Sequence, residues 1–289
     1  MVNNTKSNIE SQLDGFGMYK DLDIKAYNAA KRFLLENTPD EVNEDVLVLY
    51  LDVPNISTTN ISINKIYNRL LESAQNANMK AGVIGGSIGG VENLAKVLFN
   101  FDPKRVLVEY KDNTDALLNK IVRELNPVGK IRRTSKSIWP KYCKTIVSAA
   151  EFISQFATAQ DFIEWADYFY HDKKSFAALP MLLEAEIYGI AFPLACDFLK
   201  ELGYVDFGKP DVHIIEQFEA LGLIKEKSSN YQVLKAITRI SEHVGVSAYN
   251  VDKVFWLIGS GYFYHHIHIG KDGHVGRLKD AFIKHWSST

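Results

Sequence analysis

Six cations fall between residues 130 and 144: Lys130, Arg132, Arg133, Lys136, Lys141 and Lys144. No acid stands among them. A charge run is ordinarily a solvated face. This one lies in a chain of formal net charge −2 and is interleaved with Trp139 and Tyr142, a mixture that suits nucleic acid. The net charge supplies no general pull toward a polyanion, but a local patch still acts at short range under screening. Contact through Lys130, Arg132, Arg133, Lys136 and Lys141 is expected, and it should weaken steeply with salt. Trp139, beside Pro140 in a loop-like setting, is the stacking candidate.

Asp211 is the second group with chemical potential. It follows Pro210 and precedes an apolar helical run, so a plain N-cap is one reading. A catalytic carboxylate is another, and one aspartate can do both. His213 reads as a structural histidine. Tyr264-His265-His266-Ile267-His268 invites a metal, with His266 and His268 on one face of a strand. No acid or cysteine stands at ligand spacing, however, so a solvent-facing cluster is favoured and no metal is expected. Gly82, Gly85, Gly86, Gly89 and Gly90 lack the GxGxxG spacing and the GK[ST] ending of phosphate loops. They read as a turn or a close helix contact. Cys143 and Cys196 are the only cysteines, which excludes a disulfide framework and a four-cysteine iron–sulfur cluster.

These groups need elements to hold them. At 289 residues with 46% hydrophobic residues, sixteen Phe, fourteen Tyr and four Trp, the chain can bury a large core without staples. Residues 1–20 are polar and weakly patterned, a frayed or docking arm. Ile24, Tyr27, Ala30, Phe33 and Leu34 then recur at helical spacing until Asn37–Pro39. Val46–Val53 is apolar throughout, and its period does not separate buried helix from strand. Ile63, Ile66, Leu70, Leu71 and Ala74 form an amphipathic helix. Asp102-Pro103 starts another with a capping carboxylate and a proline at its first position. Further helical patterns occupy 103–110, 114–124, 144–156 and 159–169. Long helices with few convincing strands predict an all-α protein. The polar amino terminus has no apolar run of a signal peptide, and no stretch reaches the roughly 20 apolar residues of a membrane span. The expectation is a cytoplasmic protein without a membrane partner.

Ala185–Ile214 is the most informative segment. A helix ends near Glu186, Tyr188-Gly189-Ile190-Ala191 makes a hairpin, and a second helix with Pro193 in its first turn runs to about Leu202. Gly203, Gly208 and Pro210 then lead to Asp211. Gly189-Ile190-Ala191-Phe192-Pro193-Leu194-Ala195 is similar to the G-hydrophobic-G-x-x-x-A hairpin of the helix-hairpin-helix–Gly/Pro/Asp DNA glycosylase superfamily. Lys209-Pro210-Asp211-Val212-His213-Ile214 resembles that superfamily's PVDxHV-type segment. Ser73-Ala74-Gln75-Asn76-Ala77-Asn78 looks like the Gln/Asn-rich turn that enters the duplex in adenine and 8-oxoguanine glycosylases. Val251–Trp256 stands where the last core helices would, so the resemblance spans roughly residues 60–260.

The resemblance implies a division of labour. Backbone N–H groups of Gly189, Ile190 and Ala191 would grip a phosphate of double-stranded DNA. Gln75 or Asn76 would fill the gap left by an extruded nucleotide. Asp211 would stabilise the cationic sugar and activate water, in a pocket shared with Trp139, Lys141 and Trp256. No cofactor is implied, though such a hairpin can hold a monovalent cation, and the expected form is a monomer. Two helical lobes would flank a DNA-facing cleft: 76–188 as a helical barrel, and 44–75 with 189–289 as the lobe carrying hairpin and aspartate, after an arm and helix over 1–43. One departure is chemical. Bifunctional members carry a hairpin lysine where this chain has Pro193, and no lysine on that helix lies nearer than Lys200. The resemblance therefore implies a monofunctional glycosylase of base excision repair, and equally permits a DNA-binding relative that has lost catalysis. Ala191 also replaces the second hairpin glycine.

Overall fold

The structure is a computed structural model that describes residues 3–52, 61–77 and 83–288, with side chains from Tyr19 onward. Val53, Asn78 and Gly82, invoked above, lie outside the described residues. In chain order the helices are α1 (Asn3–Asn37), α2 (Glu44–Leu51), α3 (Ile63–Ala74), α4 (Val83–Ile88), α5 (Pro103–Tyr110), α6 (Thr114–Leu125) and α7 (Ile138–Ile153). They continue as α8 (Ala159–Tyr170), α9 (Ala178–Glu186), α10 (Phe192–Glu201), α11 (Val212–Ala220), α12 (Asn230–Val244), α13 (Ala248–Ser260) and α14 (Lys279–Ser287), with a 3-10 turn at Val91–Lys96 after α4. Only isolated bridges, such as Tyr262 with His274, represent β structure among the described residues. The fold is all-α.

Local chemistry sets many of the boundaries. Asp102 accepts from the Arg105 N–H at 3.1 Å with Pro103 behind it. Thr158 with Asp161 and Ser229 with Gln232 form reciprocal capping boxes at α8 and α12. Val46–Leu51 is helical and belongs to α2. The backbone is helical from Asn3, so residues 3–20 continue into α1 instead of forming a separate arm. The larger correction concerns α7. It begins at Ile138, six residues before the periodic run at 144, so Trp139 and Pro140 sit in its first turn. Proline is tolerated there because first-turn N–H groups have no intrahelical acceptor.

The chain divides into two compact units, Met1–Pro54 with Val205–Thr289, and Asn55–Tyr204. These bounds differ from the lobes expected from sequence, which placed 189–289 with 44–75. The expected break at 188/189 runs through the hairpin, yet α9 packs on α10 and α10 packs on α3. The hairpin helices and α3 therefore stay in one unit.

In the first unit the helical stripe Tyr27, Ala30, Phe33 and Leu34 of α1 is buried in a common core with Ile237 and Ile240 of α12 and Val254, Phe255 and Ile258 of α13. Asp23 is fully buried beside it. It accepts two hydrogen bonds from Arg239, both at 2.8 Å, and lies 2.7 Å from His243 Nδ1. A paired buried charge is tolerable, but a stranded one is not. Tyr27 donates to Asn250 Oδ1 at 2.6 Å, and burial pushes its hydroxyl up to about 12.

In the second unit α7 is the central post, packed by α3, α5 and α6. Two buried hydroxyls fix its register against α3: Tyr67 donates to the Ile146 carbonyl at 2.7 Å and Tyr142 to the Leu71 carbonyl at 2.9 Å. Burial raises both phenols well above their ordinary range, so they remain donors at any physiological pH.

Arg239→Ala is expected to destabilise the chain by about 3–5 kcal/mol, because the Asp23 carboxylate would remain buried without its main partner. Urea unfolding of the variant against the parent measures this. A loss below about 1 kcal/mol would mean that the pair contributes little.

Candidate functional site

The hairpin is seated on α7 by three local facts. The Tyr188 N–H donates to Ser148 Oγ at 2.9 Å. Gly189 has φ +82°, and a Cβ there would stand 2.3 Å from Thr145 Oγ1. Ile190 is buried, and its N–H closes the turn on the Ile187 carbonyl at 3.2 Å. Glycine is thus required at 189 both for backbone conformation and for space. Beyond the turn, α10 starts at an extended Ala191 that offers no side-chain cap. Pro193 brings no N–H to the first turn of that helix, and the Leu194 and Ala195 N–H groups donate to the Ala191 carbonyl at 2.8 and 3.0 Å.

Two residues of the cationic run, Lys136 and Lys141, lie at this seat. Lys130, Arg132, Arg133, Lys136, Lys141 and Lys144 are all exposed, and Arg133 donates to Asn119 Oδ1 at 2.6 Å. Lys136 and Lys141 line a groove of about 350 Å3 together with Ala77, Ile138, Tyr188 and Gly189. The end of the Gln/Asn turn, two of the predicted lysines and the hairpin glycine therefore converge.

Three other candidates are occupied. Gln75 Oε1 accepts from the Gly85 N–H at 3.0 Å, and a Cβ on residue 85 would meet that oxygen at 2.7 Å and push the glutamine off its bond. Gln75 could enter a duplex only by giving up this bond. Asn76 remains half-buried next to it. Trp139 is only 6% exposed and packs edge-on against Tyr142, with ring centroids 6.1 Å apart. The helical start at Ile138 turns it into the core, so it is not the loop-borne stacking residue expected. Trp256 is half-buried on α13, where its ring contacts Tyr264 at 6.0 Å and the Lys253 ammonium at 5.6 Å. Lys253 also lies over Tyr249 and donates to the Tyr264 hydroxyl at 3.0 Å. Trp256 is thus one wall of a box around an internal cation.

Asp211 is the N-cap of α11. Its Oδ1 accepts from the His213 N–H at 2.9 Å and the Ile214 N–H at 3.3 Å. The residue keeps partial exposure. Asp252, which is buried, accepts from the Lys209 N–H at 3.2 Å. Desolvation is the main cause that lifts the Asp211 carboxyl above its ordinary range. The Asp252 charge adds to it, while Lys209, His213 and the Ile214 N–H oppose it. His213 packs against Gly259, a structural placement. His266 Nδ1 is 2.9 Å from the Tyr50 hydroxyl, and the His265–His268 segment forms turns, not a strand. Among the described residues no cluster of three or more His, Cys, Asp or Glu could hold a metal ion. No described helix is long and apolar enough to cross a membrane.

Sequence reasoning missed Tyr188, Thr145, Ser148 and Lys253. Tyr188 alone carried a local signal, an aromatic at the first position of a hairpin. Thr145 and Ser148 act through a hairpin distant in the chain, and Lys253 acts through aromatics on either side of it that only the folded turn brings around it.

No protein-family model and no curated protein matches this sequence. Among solved structures, the chain is similar to the crystal structure of Methanocaldococcus jannaschii 8-oxoguanine glycosylase/lyase in complex with a 15mer DNA containing 8-oxoguanine. The TM-score is 0.53 and the identity 19%, over 81% of this chain and 98% of that one. The likeness is one of fold.

Gly189→Ala is expected to cost about 1–2 kcal/mol from the left-handed backbone alone, and more from the overlap with Thr145. Thermal unfolding of Gly189→Ala, alone and with Thr145→Gly, separates the two causes. The double variant should recover the steric part only.

Proposed function

We propose that this chain is a monofunctional DNA glycosylase that acts on double-stranded DNA and releases a flipped, damaged or modified base. The observation that carries the reading is the seat of the hairpin. A turn held rigidly against α7, with an uncapped helix start behind it, shares a groove with Lys136 and Lys141. That is a support for a phosphate backbone, positioning without reading sequence. The fold shared with a glycosylase/lyase crystallised on DNA agrees with it.

The chemistry would run as follows. Extruding the nucleotide costs a few kcal/mol, least at a damaged pair. As the N-glycosidic bond breaks, its electrons leave with the base and positive charge develops at C1′ and the ring oxygen. The Asp211 carboxylate stabilises that charge and accepts a proton from the water that attacks C1′. The base anion takes up the proton that Asp211 received, by way of solvent, which restores the carboxylate and leaves a free base and an abasic site. An amine route has no support at the hairpin. Pro193 occupies the lysine position, and Lys200 is buried with its ammonium 3.8 Å from Asp197 Oδ1.

A second reading, a helix-hairpin-helix DNA-binding protein without catalysis, is favoured by one observation. Asp211 Oδ1 already serves as the cap of α11, accepting from the His213 and Ile214 N–H groups.

Base release from a panel of lesion-bearing duplexes decides between the two readings. Under the glycosylase reading Asp211→Asn should lower release by at least about 100-fold and still fold, since asparagine caps as well as aspartate. The native pKa of Asp211 is raised, so its ionisation burdens the folded state. The burden is absent below the unfolded carboxylate pKa of about 3.9 and complete above the native pKa. Asp211→Asn should therefore match or exceed the parent in stability at pH 7, with no advantage at pH 3. The acid limb of kcat/KM should lie above the usual carboxylate range. Full activity in Asp211→Asn would remove the residue from the mechanism. Borohydride should trap no protein–DNA adduct, and a trapped adduct would overturn the water route.

Salt dependence tests the interface separately. Replacing Lys136 and Lys141 by alanine should make the slope of log K against log salt shallower by about 1.8, or 0.9 per lost phosphate contact on duplex DNA. An unchanged slope would take both lysines off the backbone.

A further inference from the structure

We propose that Tyr188 is a stacking platform for an unpaired base, so that the groove beneath it selects DNA carrying an unstacked nucleotide over fully paired duplex. The inference rests on the DNA-binding reading above and names the form of DNA that its groove takes.

Four observations on one unit carry it. Tyr188 leaves 49% of its surface exposed at the hairpin, and its ring makes no aromatic or cation–π contact among the described residues. Its backbone is immobilised by Ser148 and by the Gly189–Thr145 contact, so stacking on it would cost little ordering entropy. The groove it lines, about 350 Å3, is far too small to admit a duplex and lies at the small end of ligand-sized pockets. One base with its phosphate is the unit of nucleic acid that suits it. The remaining wall supplies what such a unit needs: the exposed apolar face of Ile138, and the Lys136 and Lys141 ammonium groups for the phosphate. Tyr142 also lines the groove, but its ring is buried and packed edge-on against Trp139, which leaves Tyr188 as the exposed π surface at this groove.

Base–aromatic stacking tolerates any base, because every base has a π face. The selectivity proposed is therefore for unpaired structure and not for sequence. A fully paired duplex keeps its bases stacked on one another and reaches only the lysines and the hairpin N–H groups.

The test is fluorescence anisotropy at one fixed salt concentration with three probes: a single strand, a duplex with one bulged base, and the same duplex fully paired. Tyr188→Ala should weaken the single strand and the bulged duplex by about 10- to 100-fold and the paired duplex by less than about threefold. Tyr188→Phe should bind all three like the parent, since the ring is retained. Should the alanine variant fail to fold by circular dichroism, Tyr188→Leu, which keeps bulk without a π face, replaces it with the same expected ranking. Equal weakening on all three probes would overturn the proposal, as would wild-type binding of the bulged probe by Tyr188→Ala or Tyr188→Leu. If the parent protein retains none of the probes, the DNA reading itself fails, which is a different outcome from a parent that binds and a Tyr188→Ala variant that binds equally well.

Discussion

The second unit depends on how closely the hairpin approaches α7. Gly189 sits where no Cβ fits, with Thr145 directly behind it, and Ser148 holds the preceding N–H. Two buried tyrosines then bind carbonyls across the α3–α7 contact. Each such bond contributes only about 1 kcal/mol net, but leaving either partner unmade in a buried site costs more. The result is a single permitted register. It places the turn after α3, the lysines at the start of α7 and the hairpin around one groove, none of which is adjacent in sequence.

Charge is handled differently at the surface and in the core. The cations of 130–144 are left in water, where they cost nothing to desolvate and remain available to a polyanion. Among the described residues the buried charges are committed: Asp23 to Arg239 and His243, Lys200 to Asp197, Asp252 to the Lys209 N–H, Lys253 to an aromatic box. Asp211 lies between these extremes. It caps a helix, carries a raised pKa and keeps partial exposure. A group held in this state is already poised to interact with positive charge, because a cation arriving beside it would relieve the burial that penalises its carboxylate.

The aromatic content divides in the same way. Trp139 and Trp256 are both engaged, one in the core and one around Lys253. The aromatic left with an unengaged ring at the groove is Tyr188. Exposure, more than residue type, separates a packing aromatic from one free to stack.

Local signals in the chain determined the helices and the hairpin. Asp102-Pro103, the end of α1 at Asn37, the hairpin between Glu186 and Phe192, and the all-α class each follow from capping, proline geometry or 3.6-residue periodicity, which act within one or two turns. The start of α7 was misread because Pro140 marks a loop in most contexts and a helix start in this one, and only the packing of Trp139 and Tyr142 decides which. The burial of Trp139, the bond from Gly85 to Gln75, the box around Lys253 and the division into Asn55–Tyr204 and the remainder were settled by tertiary structure. Each depends on how one element packs against another, even where the partners are near in sequence, as Gln75 and Gly85 are, and its free energy exists only after the helices have packed.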